Sequence, residues 1–190
     1  WGLGYRRSSD KMDNSFVLSF TPASRSESVL SAFFQDEIAL HKDSVHLIAG
    51  SKFEHNDYTG FEVQPNLRLR WKIDDRHMTW AAVSRAVHTP SRTDANGRVV
   101  ASVVPGPGGI PLAIQLQGNP AIQSEHVVGY EAGYRIRPGE RAQMDVAVFY
   151  NEHQNLATIE PGVSYLVAGA PSYRVSPQIF FNKAKARTRG

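Results

Sequence analysis

Seven histidines are the residues of this chain with the widest chemical range, because a neutral imidazole binds metals and titrates near physiological pH. No two of them have the i, i+4 spacing of a helical metal site or a short strand spacing that would build one. His55, His88, His126 and His153 fall near predicted loops, where they could gather around a ligand. The alternative that they are ordinary polar loop residues is favoured, so no metal site is predicted.

Acid–base and nucleophilic chemistry has little support in the sequence. Asp36 and Glu37 are adjacent, and adjacent residues of a strand point to opposite faces, so they do not form a catalytic pair. Ser84 and Ser91 lack the sequence context of a nucleophile, and residues 106–109 lack the Lys-Ser/Thr of a phosphate-binding loop. The absence of cysteine removes thiol chemistry and disulfides. We therefore expect no enzyme activity and no cofactor.

Five residues at the ends of predicted strands have side chains suited to holding a small ligand. An arginine guanidinium suits an anionic group, and a tyrosine offers both a stacking surface and a hydroxyl. Each of these residues could instead serve only to order the loop in which it lies, and the sequence leaves both interpretations open. The candidate ligand contacts are Tyr58, Arg85, His88, Arg92 and Tyr173.

The composition fits a structured protein without a nucleic-acid partner. The chain has 190 residues, 41% of them hydrophobic, and a formal net charge of only +3. Its most basic run has cations at alternate positions, which indicates one strand face, solvated or lining a barrel lumen, rather than a phosphate site. That run consists of Lys183, Lys185, Arg187 and Arg189.

No apolar run approaches the roughly 18 residues of a membrane helix. Residues 1–6 alternate like a strand rather than a signal peptide, and both ends look cut from a longer chain.

Residues 66–73 carry the clearest structural signal, because apolar and polar residues alternate there without interruption. At a period of two, Leu67, Leu69 and Trp71 share one face of a strand. Arg68 and Arg70 share the other face. Similar runs predict about eight strands and no useful helix. The predicted strands cover residues 1–6, 29–40, 45–54, 66–73, 77–87, 125–136, 141–151 and 178–186, with a possible short strand at 16–20.

The connections between these strands alternate between long and short. In an up-and-down antiparallel sheet every second connection lies at the same end, so one end would carry only tight turns. Strands of about ten residues with that asymmetry are typical of a transmembrane β-barrel, with Trp71 and Tyr134 in an interfacial girdle. A soluble sandwich or small barrel, with its apolar face turned inward, remains the alternative. Tight turns are predicted at 41–44, 74–76 and 137–140, and loops at 7–28, 55–64, 88–124 and 152–177.

Three segments, in this order, resemble the barrel of TonB-dependent outer-membrane receptors. Residues 32–38, AFFQDEI, resemble the strand that reads aFvQDE in that family. Residues 80–91, WAAVSRAVHTPS, resemble the strand end s.a.R.P, and residues 118–125, GNPAIQSE, resemble the segment GNP.L.pE that re-enters the wall. Ser124 departs from the family pattern, which more often has proline there. The resemblance extends over residues 29–190.

The resemblance implies an all-β fold, an antiparallel up-and-down meander that forms part of a transmembrane barrel of about 22 strands. Residues 1–190 would be a mid-barrel fragment without the plug domain. The implied place is the bacterial outer membrane, in the wall and ligand-capturing loops of an active transporter for a siderophore, haem, cobalamin or sugar. The implied partners are a small-molecule ligand such as an iron chelate and membrane lipid, with TonB contacted only through missing N-terminal parts and no nucleic acid. The alternative function is a soluble β-rich module that binds a ligand or a carbohydrate.

The predicted loop 88–124 is too long to be a simple connector in a compact domain. Its Pro-Gly centre and the apolar residues Ile110, Leu112, Ile114 and Leu116 suggest a mobile flap that closes over a bound molecule. Packing against neighbouring loops is the alternative. We therefore expect that a deletion of residues 97–113 would weaken ligand uptake without preventing membrane insertion.

Overall fold

The computed structural model describes residues 1–42 and 44–190, and Asp43, in the tight turn predicted at 41–44, lies outside the described residues. The described chain is built almost entirely of strands, and a 3₁₀ turn lies at Pro107–Gly109. In chain order the elements are β1 Gly2–Lys11, β2 Leu18–Phe20, β3 Ser24–His41, β4 Val45–Asn56, β5 Gly60–Lys72, β6 His77–His88, α1 Arg92–Asn96, β7 Gly97–Val104, β8 Leu112–Gln117, β9 Glu125–Gly139, β10 Ala142–Pro161, β11 Tyr165–Val167 and β12 Tyr173–Arg189.

Eight long strands form a wall and confirm the predicted meander. Antiparallel neighbours run in chain order from β1 through β3, β4, β5, β6, β9 and β10 to β12, and the sheet curls as part of a barrel wall does. The hairpin of β5 and β6 turns at Asp74, whose carboxylate accepts hydrogen bonds from the backbone N–H groups of Arg76 at 2.7 Å and His77 at 2.8 Å. A side chain that bonds its own following backbone in this way fixes a tight turn.

The register of the sheet separates its two faces. Leu69 pairs with Ala81, and Ala81 pairs with Ala132. Ala132 in turn pairs with Val148, so four adjacent strands contribute to one face. This apolar face carries Leu67, Leu69, Trp71, Val128, Tyr130, Ala132, Met144, Val146 and Val148. The polar face carries Arg68, Arg70, Glu131, Arg135 and Asp145, which confirms the predicted segregation.

The apolar face has no second layer of described residues packed against it. The apolar side chains along β10 are strongly exposed: the exposed fraction is 60% for Met144, 54% for Val146 and 56% for Val148. A soluble sandwich buries such a face against a second sheet. The buried apolar residues of the described chain are Phe20, Ala95, Ala113, Ile122 and Val175. None of them lies on this band, so the wall presents the surface that a barrel offers to hydrocarbon.

The prediction of a loop at residues 55–64 is wrong, because β4 and β5 form a continuous hairpin there. The side-chain oxygen of Asn56 accepts hydrogen bonds from the backbone N–H groups of Tyr58 and Thr59, each at 2.9 Å, and Gly60 takes a positive φ of 76°. These two features close the chain within residues 57–59. Pro65 is tolerated inside β5 because β6 pairs with β5 only from residue 66 onward. The end of the sheet that carries this turn and the large connections is called the loop end, and the other is the turn end.

The loops predicted at 7–28 and 152–177 are also shorter in the structure. Strand β1 continues to Lys11 and β3 begins at Ser24, while β10 continues to Pro161 and β12 begins at Tyr173. The extra length lies at the loop end, beyond the apolar band. In β1 and β3 both faces are polar over this length, and the pair of β10 and β12 contains register shifts. The pairing therefore continues while the alternation that signals a strand disappears.

The excursion between β6 and β9 is ordered rather than an unpaired flap. Strand β7 pairs with β8, and β2 pairs with β7. Strand β8 runs parallel to β12, and this pair is an exception to the antiparallel meander in sequence order. Ala113 of β8 pairs with Val175 of β12, and their exposures are 0% and 2%. The apolar residues expected to form a mobile flap therefore lie in a paired strand or next to it.

Neither helical element in the described chain has the length and apolar character needed to cross a membrane.

Candidate functional site

The hairpin turn of β4 and β5 is joined to the segment that leads into β9. Asn56 is only 3% exposed, and its side-chain amide donates a hydrogen bond to the Thr59 hydroxyl at 3.1 Å. The Ser124 hydroxyl, which is also buried, donates to the Thr59 hydroxyl at 3.0 Å. Two parts of the chain that are distant in sequence therefore meet at the loop end, where hydrogen bonds through the Thr59 hydroxyl join them.

A cavity of about 390 Å³ opens beside this junction, and we call it the loop-end pocket. Its volume lies in the range of small-ligand sites. Hydroxyl, carboxylate, guanidinium and imidazole groups all contribute to its lining. The lining side chains include Tyr58, Thr59, Glu62, Arg85, Ser124 and His126.

Arg85 reaches the pocket because strands β5 and β6 separate next to it. Pairing of β5 with β6 ends at Ser84, so the Arg85 side chain can pass towards β5. Its guanidinium donates a hydrogen bond to the carbonyl of Val63 and lies 3.8 Å from the Glu62 carboxylate. Arg85 keeps 29% of its side chain exposed, so part of the guanidinium is available to an anionic ligand.

Tyr58 is held from the β3 side of the pocket. Its hydroxyl donates a hydrogen bond to the Glu27 carboxylate, and the guanidinium of Arg25 lies 4.4 Å from the centre of its ring. The neighbouring Asp57 carboxylate accepts hydrogen bonds from Ser28, at 2.6 Å from the backbone N–H and 3.1 Å from the hydroxyl. These hydrogen bonds, with the nearby Arg25, hold the pKa of Asp57 below its ordinary value of 3.8. The turn is therefore fixed to the wall by charged contacts.

Arg92 lies outside the pocket and anchors the helix α1. Its guanidinium pairs with the Asp10 carboxylate, donates a hydrogen bond to the Pro22 carbonyl at 2.7 Å and lies 5.1 Å from the centre of the Phe20 ring. Only 10% of the side chain is exposed. Ligand contact by Arg92 stays a prediction, and the contacts that the structure gives it are those of an anchor.

His88 and Tyr173 are also separate from the loop-end pocket. His88 is 76% exposed, and its Nδ1 lies 3.4 Å from the Glu125 carboxylate in a different shallow groove. The ring of Tyr173 packs edge-on against Phe16 at 5.5 Å between centres. The pocket thus brings together two of the five candidate residues. Across residues 1–42 and 44–190, no three histidine or acidic side chains gather as a metal site.

Several pocket residues were not recognised as candidate ligand contacts from the sequence. Thr59, Glu62 and Ser124 line the pocket, and His126 was considered only as a loop histidine. The signal for the turn was present, because Asn56 followed by Gly60 is a pattern that closes a hairpin. The approach of Ser124 depends on the course of the long excursion, and no local pattern encodes it.

The polar face carries its own ion pairs. Glu37 pairs with the Arg70 guanidinium at 2.9 Å, and Arg135 pairs with Asp145 at 2.5 Å. The Nδ1 of His46 lies 2.9 Å from the same Glu37 carboxylate. Opposite charges on adjacent strands neutralise one another where a barrel interior would enclose them. These contacts explain why so many charged side chains share one face of a continuous sheet.

Comparison with known sequences gives a match over the whole chain. The family described as TonB-dependent receptor-like, beta-barrel, matches residues 1–190. No curated protein matches the chain.

Solved structures give the same fold. The ferric enterobactin receptor PfeA of Pseudomonas aeruginosa has a TM-score of 0.72 and 22% identity, with 88% of this chain and 24% of that chain covered. The siderophore receptor PirA of Acinetobacter baumannii has a TM-score of 0.72 and 18% identity, with 88% and 25% covered. The hemophore receptor HasR of Serratia marcescens, in complex with HasA and heme, has a TM-score of 0.66 and 12% identity, with 98% and 37% covered.

The chain spans about a quarter of the length of the first two receptors. At these identities the likeness establishes the shared fold alone.

Proposed function

Because the chain belongs to the TonB-dependent receptor-like β-barrel family, we propose that it supplies part of the barrel wall and ligand-capturing loops of an active transporter in the bacterial outer membrane. The apolar face contacts lipid, and the polar face lines the barrel interior. The turn end faces the periplasm, and the loop end faces the outside. TonB is contacted through parts of the protein outside this chain, and the chain carries out no catalytic step.

The exposed apolar band is the observation that carries this proposal. Val146 and Val148 alternate with Asp145 and Ala147 along β10, and the register extends the same separation across the wall. A lipid-facing barrel surface needs this arrangement, because lumen-facing and lipid-facing residues must alternate. A soluble binding module would need a second layer to cover the apolar face, and the described residues provide none.

The ligand class that fits the loop-end pocket is a small anionic chelate. Arg85 supplies a partly exposed cation, and Tyr58 supplies an aromatic surface. The similar solved receptors include one for ferric enterobactin and one for a heme-carrying hemophore. Of the five candidate contacts, Tyr58 and Arg85 are proposed as direct contacts. His88 is proposed as a contact only for a ligand large enough to extend beyond the pocket.

Uptake by cells that express the intact protein tests the proposal. A panel of radiolabelled ferric siderophores and haem would be supplied to cells that lack their own receptors. At least one ligand should accumulate, and Arg85→Gln should reduce that uptake roughly tenfold, the effect of losing one charge-assisted hydrogen bond.

The matched control is Arg98→Gln, which removes an exposed arginine on β7 outside the pocket lining. It should leave uptake unchanged at equal outer-membrane levels. Absence of the intact protein from the outer membrane would contradict the proposal. Equal effects of the two substitutions would contradict the assignment of the pocket.

A further inference from the structure

Arg25 of β3 joins that strand to two other segments of the chain at the loop end. Only 22% of its side chain is exposed, and its Nε lies 3.3 Å from the Glu27 carboxylate. Its Nη1 donates a hydrogen bond to the side-chain oxygen of Asn96 at 2.6 Å, and its Nη2 donates to the carbonyl of Asp57 at 3.3 Å. Because a guanidinium is planar, these contacts fix the helix α1 and the β4–β5 turn in direction as well as in distance.

The contacts of Arg25 and Glu27 orient the ring of Tyr58. The guanidinium of Arg25 lies 4.4 Å from the centre of that ring, and the Tyr58 hydroxyl donates a hydrogen bond to Glu27. A cation over the face of an aromatic ring is attracted by the negative charge of the π system. The hydroxyl and part of the ring surface are therefore used by β3, and Tyr58 offers its remaining aromatic surface to the pocket.

The helix α1 transmits the same contact to the other side of the pocket. An ideal Cβ at Gly118 would lie 2.7 Å from the backbone nitrogen of Asn96, so the two segments are in close contact. The backbone N–H of Asn119 donates a hydrogen bond to the carbonyl of Asp94 at 2.8 Å. These residues lead directly into residues 120–124, which line the loop-end pocket. The position of that lining segment therefore depends on α1, which Arg25 holds.

The loop-end pocket thus has two lining segments that are connected twice. Residues 58–59 and residues 120–124 are joined directly by the bond between Ser124 and Thr59. The second connection runs through Arg25 and α1, and Arg25 lies outside the pocket lining. A single hydrogen bond would leave the two segments free to turn about it. The second connection fixes their relative orientation.

We propose that Arg25 is a positioning residue of the loop-end pocket, which sets the orientation of the Tyr58 ring and the spacing of the two lining segments without contacting the ligand. The inference rests on the proposed function, in which Tyr58 and Arg85 contact an anionic ligand. A role confined to stability is the alternative. It predicts that loss of Arg25 lowers the free energy of unfolding but leaves the pocket of the folded protein unchanged.

The distance between the two lining segments tests the proposal without a ligand. Spin labels would be attached to His55→Cys and Ala121→Cys, two exposed positions, in a cysteine-free form of the intact protein. Electron paramagnetic resonance should give one narrow distance distribution, which Arg25→Gln should shift and broaden. Arg25→Lys should have the same effect, because a single ammonium group lacks the planar fork. Arg98→Gln, which removes an exposed arginine next to α1, is the control and should leave the distribution unchanged.

Uptake measures whether Arg25 acts through Tyr58. The probes are the radiolabelled ferric siderophores and haem of the uptake panel, in cells with equal outer-membrane levels of each variant. Arg25→Gln should reduce the uptake of an accumulated probe roughly fivefold. In a Tyr58→Ala background, which keeps Arg85, the same substitution should reduce uptake by about twofold or less, because two residues that act together have non-additive effects.

Three results would overturn the proposal: an unchanged distance distribution in Arg25→Gln, full rescue by Arg25→Lys, or an equal reduction of uptake in the two Tyr58 backgrounds. Failure of the unmodified protein to accumulate any probe would instead contradict the proposed function. The distance measurement would still test the role of Arg25 in that case, because it requires no ligand.

Discussion

The hydroxyl of Ser124 donates a hydrogen bond of 3.0 Å to the hydroxyl of Thr59, across 65 residues of sequence. The bond joins the turn that carries Tyr58 to the segment that enters β9, and both border the loop-end pocket. A hydrogen bond between two distant segments therefore contributes to the shape of this pocket.

Replacement of Ser124 by alanine should loosen this junction. The Ser124→Ala variant loses one buried hydrogen bond, which should cost about 0.5–1.5 kcal/mol in the free energy of unfolding. Thr59 keeps its contact with Asn56, so the turn itself should persist. Urea unfolding of the intact protein in vesicles would measure the loss. A double-mutant cycle with Thr59→Val should give non-additive effects, whereas strict additivity would argue against a direct bond.

The contact between the turn and β3 should weaken in acid. The hydrogen bonds from Ser28 hold the pKa of Asp57 below its ordinary value of 3.8, so ionised Asp57 is favoured in the folded protein. The resulting stabilisation is fully present above pH 3.8 and is lost as the pH falls through the lowered pKa of the folded state. The protection of the amides of residues 57–59 against exchange, corrected for the intrinsic pH dependence of amide exchange, should therefore fall in that acidic range. Asp57→Asn should remove this pH dependence, and an unchanged profile would contradict the assignment.

A methyl group added at Gly133 should disturb the polar face. An ideal Cβ at Gly133 would lie 2.5 Å from the ring of Trp80, so the ring must move. Overpacking of this kind costs about 1–3 kcal/mol. Gly133→Ala should therefore lower stability and shift the tryptophan emission. Gly139→Ala is the control, because a Cβ there meets no atom within 4 Å. Similar losses in the two variants would exclude the Trp80 contact as the cause.

A charge placed on the apolar band should impair folding into a bilayer. Val146→Arg should cost roughly 2–4 kcal/mol in the free energy of folding into lipid vesicles if the site lies near the midplane. Gln143→Arg places the same side chain on the same strand near its end, beside Arg137 and Asp145 on the polar face, and should cost much less. Equal costs at the two positions would contradict the assignment of the faces.

The sequence predicts the wall best where one face is apolar and the other polar. The hairpin at Asp74 was predicted correctly because Leu67, Leu69 and Trp71 alternate with charged residues. Nearer the loop end, Arg85 pairs with Val128, and Val128 pairs with Glu152. The face becomes mixed there, so the strand ends could not be read from periodicity. The parallel pairing of β8 with β12 depends on contacts between distant segments and leaves no local pattern.

The sequence also identified only some of the residues that line the loop-end pocket. Tyr58 and Arg85 were selected for their chemistry near strand ends, and they line one pocket. Arg92 and Tyr173 have the same chemistry but are held by Asp10 and Phe16, which are distant in sequence. Side-chain type predicts what a residue can do, whereas the partners of a residue determine whether it is available to a ligand.

The exposure of alternate residues of β10 to lipid tests the central claim most directly. Residues 1–190 contain no cysteine, so single cysteines at 145, 146, 147 and 148 can be labelled with an environment-sensitive fluorophore in a cysteine-free form of the intact protein. Lipids that carry a quencher on their acyl chains should quench labels at Val146 and Val148 strongly and labels at Asp145 and Ala147 weakly. Uniform quenching, or the opposite alternation, would contradict a barrel wall with its apolar face towards the membrane.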